Sequence, residues 1–215
     1  MIVSSITAVN RLRSRVCLEE AADPAFSSFV LGNRDIVSLD LREGSDVSPD
    51  TFAQIRSALR AACLLKCGAL LGSRDYTRRR LITKLCEAGF PRPVAEDAAD
   101  AMEEAHYLDD SRFAKTYVAS HIGDRSLARI RQDLKQRGVS EEDIGEAFLA
   151  VDAEAADRQG SLADAEETQI RAFLKKKHFD PETASFGDRQ RLMAALYRRG
   201  YAQETIRRVM GGGEQ

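Results

Sequence analysis

No apolar run in this 215-residue sequence approaches the roughly 18 residues that a membrane-spanning helix requires, so an integral membrane protein is not expected. Histidine is scarce and dispersed: His106, His121 and His178 do not cluster, which argues against a histidine metal site. The four cysteines, Cys17, Cys63, Cys67 and Cys86, follow neither disulfide-scaffold nor zinc-ribbon spacing. Cys63 and Cys67 share one helix face, but two thiols without a neighbouring ligand make an incomplete tetrahedral site, and buried free thiols are expected. There is no nucleophile elbow, Walker loop or dinucleotide fingerprint. No enzyme activity, cofactor or metal is therefore expected. The opening stretch MIVSSITAVNRLRSRVC lacks the apolar core and small-residue cleavage site of a secretory signal, so the cytoplasm is the expected location.

What is present is charge and helical periodicity. With 31% charged and 43% apolar residues, the chain fits a helix-rich globular protein with room for one or two ordinary domains. A net charge of −2 excludes a general nucleic-acid coat, yet residues 166–210 carry ten Lys or Arg against six acids. That end permits an anionic partner.

Self-similarity decides the architecture. TRRRLITKLCEAGF (77–90), SLARIRQDLKQRGV (126–139) and DRQRLMAALYRRGY (188–201) align without a gap. Each opens on an N-cap type of residue (Thr77, Ser126, Asp188). Each carries aliphatic residues four and eight positions on (Leu81 and Leu85, Ile130 and Leu134, Leu192 and Leu196) and ends in Gly plus an apolar residue. A side-chain oxygen satisfies free N–H groups at the start, the i, i+4 aliphatics make a buried stripe, and Gly89, Gly138 and Gly200 take the left-handed stop. A second helix follows each glycine, bearing Ala95 and Ala98, Ile144 and Ala147, or Ile206 and Val209. Another helix precedes each pair, with stripes of Phe52, Ile55, Leu59, Ala62 and Cys63; Phe113, Ala114, Tyr117 and Val118; and Ile170, Phe173 and Leu174. The glycines lie 49 and 62 residues apart, which puts thirteen extra residues in the linker KKKHFDPETASFG.

The expected fold is mainly α: tandem three-helix, helix-turn-helix-like repeats over 49–106, 107–155 and 160–211, stacked as an elongated curved array. In the first 48 residues FSSFVLGNRDIVSLDL (26–41) alternates, and Gly32-Asn33 offers a tight turn, so a small β-hairpin is expected there. Ser48-Pro49 caps and opens the first helix. Asp109 and Asp110 begin the helix of Phe113 and Tyr117, where a carboxylate caps N–H groups and meets the positive end of the dipole. Tyr107 and Leu108 are expected to staple that start.

One repeated choice resists a local explanation. Arg80, Arg129 and Arg191 stand three residues after the expected cap in all three repeats, where a cation opposes the helix dipole and Glu or Gln is the better residue. They are expected either to pair with an acid on a neighbouring helix or to face a partner's carboxylates or phosphates. Around them stand Arg74, Arg78, Arg79 and Lys84, then Arg131, Lys135 and Arg137, then Arg198 and Arg199, with Arg207 and Arg208 beyond. Most of such a set is expected to be a solvated face.

RDYTRRRLITKLCEAGF (74–90), HYLDDSRFAKTYV (106–118) and RIRQDLKQRGV (129–139) resemble, in this order and spacing, the RecX family of bacterial regulators of the recombinase RecA. LDLREGSDVSPDTF (39–52) resembles the lead into the family's first helical unit, so the likeness covers most of the chain. It implies a modular, non-enzymatic helical protein that binds the groove of the RecA nucleoprotein filament, restrains ATP hydrolysis and strand exchange, and has some affinity for single- or double-stranded DNA. The cations from Arg74 to Lys84, Arg129 to Arg137 and Arg191 to Arg199 are the candidate contacts, and a monomer is expected. His106 departs from the family's usual Gly, and Pro93 adds a proline in a first helical turn, where it is tolerated. The competing reading is a sequence-specific helix-turn-helix DNA regulator.

Overall fold

The computed structural model describes residues 1–156 and 160–211. The chain divides into two compact units, residues 1–109 and residues from 110 onward.

The first unit opens with three antiparallel strands, β1 (Ile2–Asn10), β2 (Arg13–Glu19) and β3 (Ser28–Gly32), in the order β1-β2-β3. The tight hairpin joins β1 to β2, where the Asn10 side chain accepts from the Leu12 and Arg13 N–H groups at 2.9 and 3.0 Å. The hairpin expected at Gly32-Asn33 is not formed. Gly32 is extended, with φ of −66°, and Asn33 opens a short helix, α1 (Asn33–Ser38). Asn33 instead braces the other turn: its N–H donates to the Leu12 carbonyl at 2.9 Å and its Oδ1 accepts from the Ser14 hydroxyl at 2.8 Å. Gly-Asn is as suitable for ending a strand before a helix as for reversing it, and the long-range bonds choose between the two.

Three longer helices complete this unit: α2 (Pro49–Leu71), α3 (Arg78–Glu87) and α4 (Arg92–Glu104). The Ser48 hydroxyl caps α2 through Thr51 N–H at 3.1 Å, and Pro49 and Pro93 sit in first turns, where no donor is lost. The inward faces Val3, Val16, Phe29 and Leu31 of the sheet share one core with Ile55 and Leu59 of α2, Leu81 and Leu85 of α3, and Ala95 and Ala98 of α4. Gly89, at φ +92°, ends α3 against the sheet, its carbonyl accepting from Val30 N–H at 2.9 Å. A Cβ there would stand 2.3 Å from Val30 Cγ2, so glycine is required twice over. His106 has φ +58°, a left-handed conformation that glycine adopts without cost.

The second unit holds α5 (Asp110–His121), α6 (Leu127–Arg137), α7 (Glu141–Ala156), α8 (Leu162–Lys176), α9 (Phe186–Arg198) and α10 (Gln203–Met210). One core gathers Ala114, Val118, Ile130, Leu134, Ile144 and Ala147; another gathers Ile170, Leu174, Leu196, Tyr201, Ile206 and Met210. Asp110 is the first residue of α5, as expected of a start-of-helix carboxylate. Tyr107 is 68% exposed while Leu108 is buried, so the aromatic takes no part in a staple. The third repeat starts a turn earlier than expected. Ser185, not Asp188, is the N-cap of α9, its hydroxyl accepting from Asp188 N–H at 3.1 Å, and Asp188 becomes a favourable first-turn acid.

Candidate functional site

The cations singled out by the repeat fall into two groups once their neighbours are known. In α3, three arginines occupy the first turn beneath the Thr77 cap, which accepts from Arg80 N–H at 3.3 Å. Arg78 is answered from α4: Asp100 lies 2.6 Å and Glu103 2.5 Å from its guanidinium. Partial burial works against its charge, but these two carboxylates outweigh it and hold Arg78 protonated more firmly than usual. Arg79 and Arg80 make no ion pair among the described residues. Arg74 lies over the Tyr76 ring at 4.7 Å, and Lys84 pairs with Glu87 on its own helix.

In α6 the cations are more engaged. Arg129 reaches Asp133 of its own helix at 3.2 Å; Arg131 lies 3.6 Å from Glu141 and over the Phe148 ring; Lys135 pairs with Glu141; Arg137 lies over the Tyr117 ring at 4.9 Å. In α9, Arg191 is 80% exposed and only 3.7 Å from Asp188, while Arg198 makes no ion pair among the described residues. Arg199 stacks on Phe173 at 4.4 Å. Among the described residues, therefore, none of Arg80, Arg129 and Arg191 reaches an acid on a neighbouring helix. Exposed pairs within a helix contribute only about 0.3–0.5 kcal/mol, too little to explain cations placed at repeat spacing.

A polar cluster gathers around Asp133, a residue that the repeat did not single out. Asp133, 8% exposed, accepts from the Arg125 guanidinium at 2.6 Å and from the Tyr117 hydroxyl at 3.3 Å while also meeting Arg129. His121 stacks on Tyr117 with ring centroids 4.0 Å apart. One buried carboxylate thus fixes two guanidiniums at the start of α6. The signal for it lies in the repeat: Lys84 and Ala195 occupy the positions equivalent to Asp133, so the acid breaks the pattern. A second acid, Glu166 of α8, is buried and accepts from Leu127 N–H at 2.9 Å. Burial pushes its carboxyl above the usual range, partly offset by that N–H.

The four cysteines are free thiols. The neighbouring Cys67 thiol, together with burial, pushes the Cys63 thiol up, while Cys63 pulls that of Cys67 down. Among the described residues no group of three His, Cys, Asp or Glu is placed to hold a metal ion, and no helix is long and apolar enough to cross a membrane.

Residues 109–147 match the RecX second three-helix domain, and residues 165–210 match the RecX third three-helix domain. The regulatory protein RecX of Trichlorobacter lovleyi is 31% identical over 152 residues, covering 68% of this chain and 92% of that protein. The chain belongs to the RecX family of regulatory proteins. The RecX of Mycobacterium leprae is 31% identical over 165 residues, covering 75% of this chain and 89% of its own. A crystal structure of a regulatory protein RecX superposes with a TM-score of 0.61 at 17% identity, covering 97% of this chain and 98% of the other. That of RecX from Lactobacillus salivarius gives 0.58 at 12% identity, over 72% and 96%. These likenesses are to the fold of this RecX family member, which is itself mainly helical with a small antiparallel sheet at its start.

Proposed function

We propose that this chain is a non-enzymatic modulator of RecA that binds in the groove of the RecA nucleoprotein filament and restrains ATP hydrolysis and strand exchange. Membership of the RecX family supports the reading, and Arg80, Arg129 and Arg191 are the observation that carries it. A cation in the first turn of a helix costs about 0.3–1 kcal/mol, which applies to Arg80 and Arg129 but not to Arg191, in the second turn of α9, and among the described residues no acid on a neighbouring helix meets any of the three. A partner's carboxylates or phosphates supply what the fold leaves out. Each of the three-helix modules over 49–106, 107–155 and 160–211 presents cations of its own, with Arg74 and Arg79 beside Arg80 in the first and Arg198 beside Arg191 in the third. The protein acts as a monomer in the cytoplasm. DNA adds a weak, salt-sensitive contribution, because the net charge of −2 opposes broad phosphate binding while the third module is locally basic.

The test is the DNA-dependent ATPase of RecA with this protein titrated in below the RecA concentration. A fall in rate and in filament length is expected; no change in either sinks the proposal. Tight binding of a defined duplex at physiological salt, roughly 10³-fold over random DNA, would replace it with a sequence-specific regulator.

A further inference from the structure

The third module contains a cleft of about 520 Å³ between the end of α8, the loop that follows it and one face of α9. Phe173, Phe179, Leu192 and Ala195 line it. The two phenylalanines and Leu192 are only half-buried, packed at the margin of the small Ile170–Leu196–Ile206 core. Apolar surface is thus left open in a concave setting of a size that suits a few residues of a ligand, within the ~300–1,000 Å³ usual for binding sites.

The rim is cationic. Lys177, Arg191 and Arg198 line the cleft; the first and last make no ion pair among the described residues, and Arg191 meets only Asp188, at 3.7 Å. Two carboxylates also line it, but both are spent on local structure. Asp180 accepts from Glu182 N–H at 2.9 Å and from the Thr183 hydroxyl at 2.8 Å, and Asp188 Oδ2 lies 2.7 Å from the Ser185 hydroxyl. The loop is pinned as well: Arg189 donates to the carbonyls of Pro181 and Ala184 and lies over the Phe179 ring. A preformed wall spares a ligand the cost of ordering it.

We propose that this cleft is a docking site for an acidic peptide segment that carries one bulky apolar side chain. The apolar group enters between Phe173, Phe179 and Leu192, and its flanking carboxylates meet Lys177, Arg191 and Arg198. A peptide fits better than a nucleic acid. Each phenyl ring already holds a guanidinium against one face, Arg199 on Phe173 and Arg189 on Phe179, and packs against the module's core, so neither is a free platform for stacked bases. The site shares Arg191 and Arg198 with the cations assigned above to RecA, but it is argued from the cleft and its apolar lining.

The experiment uses the full chain without RecA or DNA. A fluorescein-labelled hexapeptide of four acidic residues followed by Leu-Phe is titrated by anisotropy. Saturable binding is expected, with loss of binding when the acids become Ser or when Leu-Phe becomes Gly-Gly. Ala195→Leu, which fills the cleft, and Arg191→Glu with Arg198→Glu, which reverses its rim, should each weaken binding at least about tenfold. If Ala195→Leu melts early, the exposed double variant decides. No saturation up to millimolar protein, unchanged affinity in the rim variant, or displacement by a single-stranded oligonucleotide more readily than by unlabelled peptide would each overturn the assignment. None of these results bears on the RecA ATPase assay, so the two readings fail separately.

Discussion

The hydroxyl of Ser126 donates to the carbonyl of Arg199 at 2.7 Å, 73 residues away, while accepting the N–H of Arg129 at 3.3 Å. The cap of α6 is therefore also a joint to the end of α9. Ser126→Ala removes a cap, about 1 kcal/mol, and strips a partner from the Arg199 carbonyl, about 1–3 kcal/mol more where that group is buried. Urea denaturation should show a loss of roughly 2–4 kcal/mol; a loss below about 0.5 kcal/mol would mean that the joint contributes nothing.

Gly200 completes that joint. Its φ is +92°, and a Cβ there would lie 2.6 Å from Ser126 Oγ. Gly200→Ala should destabilise by more than the ~1–2 kcal/mol of a left-handed alanine. Removing the hydroxyl relieves the clash, so the pair Gly200→Ala and Ser126→Ala should cost less than the sum of the single changes, by roughly 1 kcal/mol. Additive losses in a double-mutant cycle would contradict the contact.

Glu166 makes stability depend on pH in an unusual sense for a carboxyl. Its folded pKa is raised, chiefly by burial, so the folded state holds the proton more tightly than the unfolded chain does. The resulting contribution is fully present below the unfolded value of about 4.3 and is lost as pH rises through the higher folded value. Glu166→Gln keeps the carbonyl oxygen that accepts from Leu127 but removes the charge. Melting curves of variant and parent should run together below the unfolded value of about 4.3 and diverge in the variant's favour as pH rises above it. A constant difference across that range would refute the assignment.

Asp133 holds Arg125, Arg129 and the Tyr117 hydroxyl around one buried carboxylate. Asp133→Ala should cost about 1–3 kcal/mol by chemical denaturation, since both guanidiniums are half in solvent and recover water. Asp133→Asn should cost less, because one oxygen still accepts. Equal losses in the two variants would point to packing rather than charge.

Changing Arg80, Arg129 and Arg191 together to Gln should leave far-UV circular dichroism intact and shift stability by less than about 1 kcal/mol, given that none pairs across helices. RecA binding, measured as inhibition of its ATPase, should weaken several-fold. A large fall in melting temperature with unchanged inhibition per folded molecule would assign the three to the fold instead of the partner.

The elements that could be read from the chain alone are those whose chemistry closes within one helical turn. Thr77 and Ser126 cap, Gly89, Gly138 and Gly200 stop with φ near +90°, and the aliphatic stripes face the cores, fully buried except at the half-buried Leu192, because each needs only neighbours three to five residues away. The start of α9 misled because Ser185 and Asp188 are both able caps, and the earlier one gains a turn of helix with an acid inside it. Gly32-Asn33 misled because its role depends on Leu12 and Ser14 in another strand. The pairing of Arg78 with α4, the reach of Arg125 to Asp133 and the Ser126–Arg199 joint depended on the assembled fold, since they bring together groups up to 73 residues apart, and no local period records which helix faces will meet.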